Sequence, residues 1–282
     1  MSAVPSKVLA IGKVLTIARF TLLEARRTRL PWLVLAVLIG LLVMSLFVQQ
    51  VAITETHRLQ MGFLAAGARL GTVFVLTLHV AGSMVREFND KGVDLLLSLD
   101  LPRAGYYLGK LAGYVGIALA TAVLTTAALA LPSLVTSALA LAGLALAPLA
   151  PPADLALWGV SLACELTLIA TLTLFCVITF AQLMPAVSFV AAFYLLARSI
   201  AAMRLLAGSQ LLDPQGWNAR ASTWVVDGLA LLLPDLSRFT STAWLLDGTG
   251  EAAALGFVAA QTAVYAVLLV LAGLFDLYRK SL

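Results

Sequence analysis

Long runs of apolar residues, separated by short clusters of charged residues, dominate this sequence. An α-helix needs about 20 apolar residues to cross the hydrocarbon core of a bilayer. Runs of this kind occur at about residues 30–51, 67–85, 108–131, 155–180, 186–203 and 252–274. The pattern therefore predicts an all-α integral membrane protein, with six transmembrane helices in a single domain over residues 1–282.

The N-terminal stretch, residues 6–29, has a different pattern. Its apolar residues recur at helical spacing, whereas Lys13, Arg19 and Glu24 interrupt any run long enough for a cleavable signal peptide. This spacing predicts an amphipathic helix lying on the membrane surface. A soluble N-terminal helix is the alternative interpretation.

Clusters of positive charge indicate which side of the membrane each end occupies. Arg26, Arg27 and Arg29 precede the first apolar run, and Arg279 and Lys280 follow the last one. Cytoplasmic loops carry an excess of Lys and Arg. We therefore expect both termini in the cytoplasm.

Two segments do not fit a simple pattern of spans. Residues 132–153 are apolar but contain four prolines, and we interpret them as an outer hairpin that dips into the membrane. Residues 204–251 form the longest polar region, and its tryptophans are typical of a membrane interface. We expect this second segment outside the cytoplasm, packed near the outer interface.

The composition excludes several classes of function. The chain has 282 residues, of which 62% are hydrophobic and 11% charged, whereas soluble domains carry about 25% charged residues. In a membrane protein the positions of Lys and Arg report sidedness, so the formal charge of +4 gives no support to nucleic-acid binding. Cys164 and Cys176 share one apolar segment, so we expect no disulfide framework. The sequence has only two histidines, so we expect no metal site. No phosphate-binding Gly-x-x-x-x-Gly-Lys-Ser/Thr motif occurs, so we expect no cofactor and no ATP hydrolysis in this chain.

The loop over residues 86–107 is the most highly charged stretch between two apolar runs. Within it, Leu95, Leu96 and Leu99 have the spacing of one helical face, which predicts a short amphipathic helix. Gly92 precedes this helix and Pro102 ends it, because proline supplies no backbone N–H.

This loop resembles the first cytoplasmic loop of type-2 ABC exporter permeases. The shared pattern is Gly-x-acid-Leu-Leu-Leu-Ser-Leu, then Pro-Arg, then Tyr-x-x-Gly-Lys, and it departs from the family at Val93, where Thr is expected, and at Asp100. The resemblance implies an N-terminal elbow helix and a coupling helix that docks into a separate ATP-binding subunit. The residues that it assigns to coupling are Arg86, Glu87, Gly92, Asp94, Leu95, Leu96, Leu99, Pro102 and Arg103.

The resemblance implies a permease subunit of an ATP-driven transporter in the cytoplasmic membrane, acting as a homodimer or with a sister permease. A secondary transporter and a non-transporting scaffold or assembly factor are the alternatives. An intramembrane enzyme that uses Glu165 and His79 is a further alternative function, although the sequence supplies no base to act with its other acidic residues.

Two charged residues fall inside predicted spans, Glu165 in the fourth and Arg198 in the fifth. Charges within a membrane usually face the protein interior and pair. We therefore predict a Glu165–Arg198 ion pair, with Arg69 as the alternative partner and a substrate-lining role for Glu165 as the competing hypothesis. In the third span, Gly109, Gly113 and Gly116 would allow close contact with another helix, and the alternative interpretation is that a membrane helix simply tolerates them.

Overall fold

The computed structural model describes residues 6–51, 56–90, 102–141, 151–207, 224–229, 232–248 and 252–279. All regular secondary structure within these ranges is helical, which confirms the all-α prediction. The helices are α1 (Ser6–Arg27), α2 (Leu30–Val51), α3 (Thr56–Asn89), α4 (Arg103–Leu141), α5 (Pro152–Phe180), α6 (Leu183–Ala207), α7 (Thr242–Asp247) and α8 (Ala252–Arg279). Residues 224–229 are also helical, and Leu236–Arg238 form a 3₁₀ turn.

Within the described residues, five helices are long and apolar enough to cross a membrane, namely α3, α4, α5, α6 and α8. The count reaches six if α1 and α2 are taken together as one bent span. The two helices meet at an angle of 50°, and Arg29 at the bend has a positive φ of 59°. An abrupt bend of this kind separates the N-terminal helix from the first predicted span.

Helix α5 is the centre of the bundle. In its most apolar window 72% of the residues are buried, compared with 11% in α8. It packs against α3, α4, α6 and α8, and large side chains such as Trp158, Leu162 and Ile169 are fully buried along it. A charged residue in the middle of α5 is therefore enclosed by protein on every side.

Helix α1 packs against the face of α4 that carries the glycines. A Cβ atom on Gly109 would lie 2.8 Å from Ile17 Cβ, and one on Gly113 would lie 2.6 Å from Thr21 Cβ. Gly116 meets Leu22 in the same way, so the contacts advance in step along both helices. The predicted close contact at these glycines is confirmed, and α1 lies alongside the first turns of α4.

The segment between α4 and α5 differs from its prediction. The expected outer hairpin over residues 132–153 begins instead as a continuation of α4, which remains helical through Pro132 to Leu141. Transmembrane helices tolerate proline because neighbouring groups satisfy the carbonyl that it leaves free. Residues 142–150 lie outside the described ranges.

Residues 232–248, which we call the re-entrant segment, turn back into the bundle. Leu236, Phe239 and Thr240 are completely buried, and Trp244 is 7% exposed. Trp224, by contrast, is 82% exposed, and Trp217 lies outside the described residues. Trp244 is therefore packed inside the protein, and the segment reaches further into the bundle than the predicted interfacial packing requires.

Candidate functional site

Glu165 lies at the middle of α5 and is 0% exposed. It is about 20 Å from the start of the helix and about 22 Å from its end, at 1.5 Å per residue. Its Oε1 accepts a hydrogen bond from the Tyr194 hydroxyl (3.0 Å), and its Oε2 accepts one from the Thr240 hydroxyl (2.7 Å). Two hydroxyl groups from distant parts of the chain thus converge on one buried carboxylate.

Thr240 is the point at which the re-entrant segment is held. Its backbone N–H donates to Ser161 Oγ (2.9 Å), and its carbonyl accepts from Arg69 Nη1 (3.3 Å). Its φ of 46° lies in the left-handed region, which is an outlier for a β-branched residue. Such strain persists only where the surroundings over-determine the conformation, and it clusters at functional sites.

Arg198 holds the same segment from the side of α6. Its Nη1 donates to the carbonyl oxygens of Leu236 and Phe239, the latter at 2.8 Å. The Leu236 carbonyl also accepts the backbone N–H of Phe239 across the 3₁₀ turn, whereas the Phe239 carbonyl has no backbone partner among the described residues. In a membrane every such group must be satisfied within the protein, and the guanidinium group does this.

Glu165 and Arg198 therefore bind the same five-residue stretch, residues 236–240, and the described residues contain no direct ion pair between them. This corrects the geometry of the predicted pair, in which the two side chains meet directly. Arg69, the predicted alternative partner, also reaches Thr240 and not the carboxylate. We call Arg69, Ser161, Glu165, Tyr194, Arg198 and Thr240 the Glu165 cluster.

A second polar cluster lies at the other end of α3, beside the predicted coupling loop. Glu87 of α3 forms an ion pair with Lys110 of α4, whose side chain is 3% exposed. Ser83 donates to Glu24 Oε1 of α1 (2.8 Å), and Arg86 Nη2 lies 3.9 Å from the same oxygen. We call Glu24, Ser83, Arg86, Glu87 and Lys110 the loop-end cluster.

The returning end of the loop is also tied to the bundle. Pro102 is exposed, and its carbonyl accepts from the backbone N–H of Gly105 and Tyr106 at the start of α4. Arg103 Nη1 donates to the carbonyl oxygen of Leu277 in α8 (3.3 Å). Of the residues that the resemblance assigns to coupling, Gly92, Asp94, Leu95, Leu96 and Leu99 lie outside the described residues.

Several residues of the two clusters were not predicted from the sequence. Thr240, Tyr194 and Ser161 give no signal of their own, because isolated hydroxyl groups are common in membrane helices and loops. Lys110 could have been found, since a lysine about one turn inside an apolar run needs a partner. His79 and Glu165, suggested together for an intramembrane enzyme, lie in different regions: His79 is about 15 Å along α3 from Arg69 of the Glu165 cluster.

The fold and the buried charges define the class of this protein: an all-α membrane protein with polar clusters inside its helical bundle. No protein-family model matches the sequence, and no curated protein matches it.

Proposed function

We propose that this chain is the membrane-spanning permease subunit of an ATP-driven ABC transporter of the type-2 exporter kind. It would lie in the cytoplasmic membrane with both termini in the cytoplasm, pair with a second permease, and bind an ATP-binding subunit through residues 86–107. The observation that carries the proposal is the loop sequence, with its leucine face, Pro102 and the Tyr-x-x-Gly-Lys that follows.

The contacts at the ends of this loop support a role in transmission. The Glu87–Lys110 pair joins the end of α3 to the second turn of α4, and Arg103 joins α4 to α8. Ser83 and Arg86 connect the same end of α3 to Glu24 of α1. A displacement of residues 91–101 would therefore be passed to four helices at once, as an ATP-driven conformational change requires.

Co-purification with an ATP-binding subunit encoded next to this chain tests the proposal. The variant Leu96→Glu places a charge on the predicted docking face, and we expect it to abolish complex formation and coupled ATP hydrolysis while membrane insertion is retained. Leu59→Glu is the matched control, because Leu59 is exposed at the opposite end of α3. Normal stimulation of ATP hydrolysis by Leu96→Glu would refute the docking role.

The same experiment separates the alternatives. A secondary transporter would move its substrate without any ATP-binding subunit, and a scaffold or assembly factor would bind partners without stimulating ATP hydrolysis. Neither of them requires the leucine face of the loop.

The proposed orientation is tested by cysteine labelling in intact cells. In a background of Cys164→Ala and Cys176→Ala, Ser209→Cys and Thr249→Cys should react with an impermeant thiol reagent. Asp90→Cys, at the exposed end of α3, should react only after lysis. Protection of both outer positions until lysis would mean that the count of six spans is wrong, with the error most readily placed at residues 132–153.

A further inference from the structure

An apolar groove runs between α3 and α6 on the outside of the bundle. Its cavity of about 170 Å³ is lined mainly by Leu70, Val73 and Phe74 of α3 and by Val190, Ala191 and Leu195 of α6. Leu70, Phe74 and Leu195 are 47%, 58% and 64% exposed, so the groove opens towards the surrounding lipid. Its walls and its opening suit a hydrocarbon chain.

One end of this groove is bounded by the Glu165 cluster. Arg69 lies one helical turn before Val73 on α3, and Arg198 lies one turn after Tyr194 on α6. Tyr194 itself lines the groove and donates its hydroxyl to Glu165. Both helices that form the walls therefore carry an arginine just beyond the last apolar residue at the same end.

These arginines have donors that the protein does not use. Arg69 is 8% exposed, and its buried Nε has no hydrogen-bond partner among the described residues. Each guanidinium carries five N–H groups, whereas the bonds described for Arg69 and Arg198 come from one nitrogen of each. The acceptors they reach are backbone carbonyls and the Thr240 hydroxyl, which are neutral.

The charges of the cluster do not balance. Two guanidinium groups face one carboxylate, and the oxygens of Glu165 are occupied by hydroxyl groups. The next carboxylate, Asp235, is held by Ser237 and by its own arginine, Arg238. A buried positive charge without a counter-charge is costly in a medium of low dielectric constant.

We infer that the groove and these two arginines form a binding site for an anionic amphiphile. Its hydrocarbon chain lies between α3 and α6, and its oxyanion head, a phosphate or carboxylate, binds Arg69 and Arg198. The carbonyls of the re-entrant segment hold the arginines when the head is absent. If the chain is a transporter subunit, this amphiphile is the class of substrate that the site would take.

Binding can be measured on the purified full chain without any ATP-binding subunit, so its failure is distinguishable from failure of the proposed function. Phosphatidylglycerol and phosphatidylcholine with identical acyl chains are the probes, and native mass spectrometry measures their affinities. The anionic lipid should bind at least about tenfold more tightly. Equal affinities would overturn the assignment of the head site.

Matched variants test the two halves of the site separately. Ala191→Leu fills the groove without touching a charge and should weaken phosphatidylglycerol binding about tenfold. Ala192→Leu makes the same change at the neighbouring exposed position, which does not line the groove, and should bind normally. Unchanged binding in Ala191→Leu would remove the groove from the proposal.

The head site is tested by Arg198→Gln, with Arg58→Gln as the control for loss of a positive charge elsewhere. Arg198→Gln should abolish the preference for the anionic lipid, and Arg58→Gln should retain it. Inorganic phosphate is the remaining probe: if it binds as tightly as phosphatidylglycerol at constant ionic strength, the ligand is a free oxyanion and the amphiphile is refuted.

Discussion

The two polar clusters of this protein accommodate buried charge in different ways. In the loop-end cluster, Glu87 and Lys110 face each other from α3 and α4 and pair directly. In the Glu165 cluster, the acid and the two arginines do not pair directly but bind the same stretch, residues 236–240: the arginines reach its carbonyls, and Glu165 accepts from the Thr240 hydroxyl. The first cluster joins two long helices, whereas the second holds a stretch whose only regular structure is one 3₁₀ turn.

The difference follows from what each charge has to satisfy. A helix supplies its own backbone hydrogen bonds, so charges on neighbouring helices are free to pair. In residues 236–240 the carbonyls of Phe239 and Thr240 have no backbone partner among the described residues, and arginines reach them because the donors of a guanidinium fan out from a planar group. Arg69, which is buried, and Arg198, which is partly buried, are therefore better explained by the backbone they hold than by the acid near them.

The largest expected effect comes from breaking the direct pair. Lys110→Met leaves Glu87 as an unpaired, largely buried carboxylate, and loss of one partner of a buried pair costs about 3–5 kcal/mol of unfolding free energy. The double variant Lys110→Met/Glu87→Leu should recover most of this loss. Thermal unfolding in detergent measures both, and equal losses in the single and double variants would contradict a direct pair.

Substitutions in the Glu165 cluster should lower the unfolding free energy less, and their coupling energies should link Glu165 to Thr240 more than to Arg198. Glu165→Gln replaces one acceptor oxygen by an amide donor beside the hydroxyl groups of Tyr194 and Thr240, which should cost about 1–3 kcal/mol. A double-mutant cycle with Thr240→Val should give a coupling above about 0.5 kcal/mol, whereas a cycle with Arg198→Gln should be nearly additive. Strong coupling between Glu165 and Arg198 would support the direct ion pair that the sequence predicted. Lost transport at unchanged stability would favour a substrate-lining role for Glu165.

The contact between α1 and α4 provides a third, smaller test. A methyl group on Gly113 would lie 2.6 Å from Thr21 Cβ, so Gly113→Ala forces the helices apart at a typical overpacking cost of about 1–3 kcal/mol. Higher helix propensity offsets up to about 1 kcal/mol of this. Gly82→Ala is the control, because a Cβ there meets nothing within 4 Å, and it should be neutral or stabilising. Equal unfolding temperatures for the two variants would contradict close packing at Gly113.

The sequence predicted the helices well because hydropathy alone reports them. Between the fourth and fifth apolar runs the chain turns at residues 181–182, where Ala181 has a left-handed φ of 54°. The extent of α4 was missed because Pro132 was interpreted as a break. Proline disrupts helices in water, but within a bundle it removes only a hydrogen bond that neighbouring groups can replace.

The Glu165 cluster was predicted only in part, and the reason is distance along the chain. The burial of Glu165 and Arg198 follows from their positions inside apolar runs. Thr240, which donates to Glu165, is 75 residues away from it along the chain, in a segment without periodicity. No local pattern indicates that such a segment turns back into the bundle, so the sequence predicted a direct Glu165–Arg198 ion pair.

The smallest expected effect concerns the outer margin of the re-entrant segment. Arg58 of α3 donates to Asp247 Oδ1 at the end of α7 (2.7 Å), and the two side chains are 57% and 40% exposed. Exposed ion pairs contribute about 0–1 kcal/mol, and salt screens them. Arg58→Gln should therefore lower the unfolding free energy by less than 1 kcal/mol at low salt, and the difference from the parent should vanish at about 1 M salt. A loss as large as that of Glu165→Gln would mean that the segment is held mainly from its solvated end, and the buried cluster would then lose its role as the anchor.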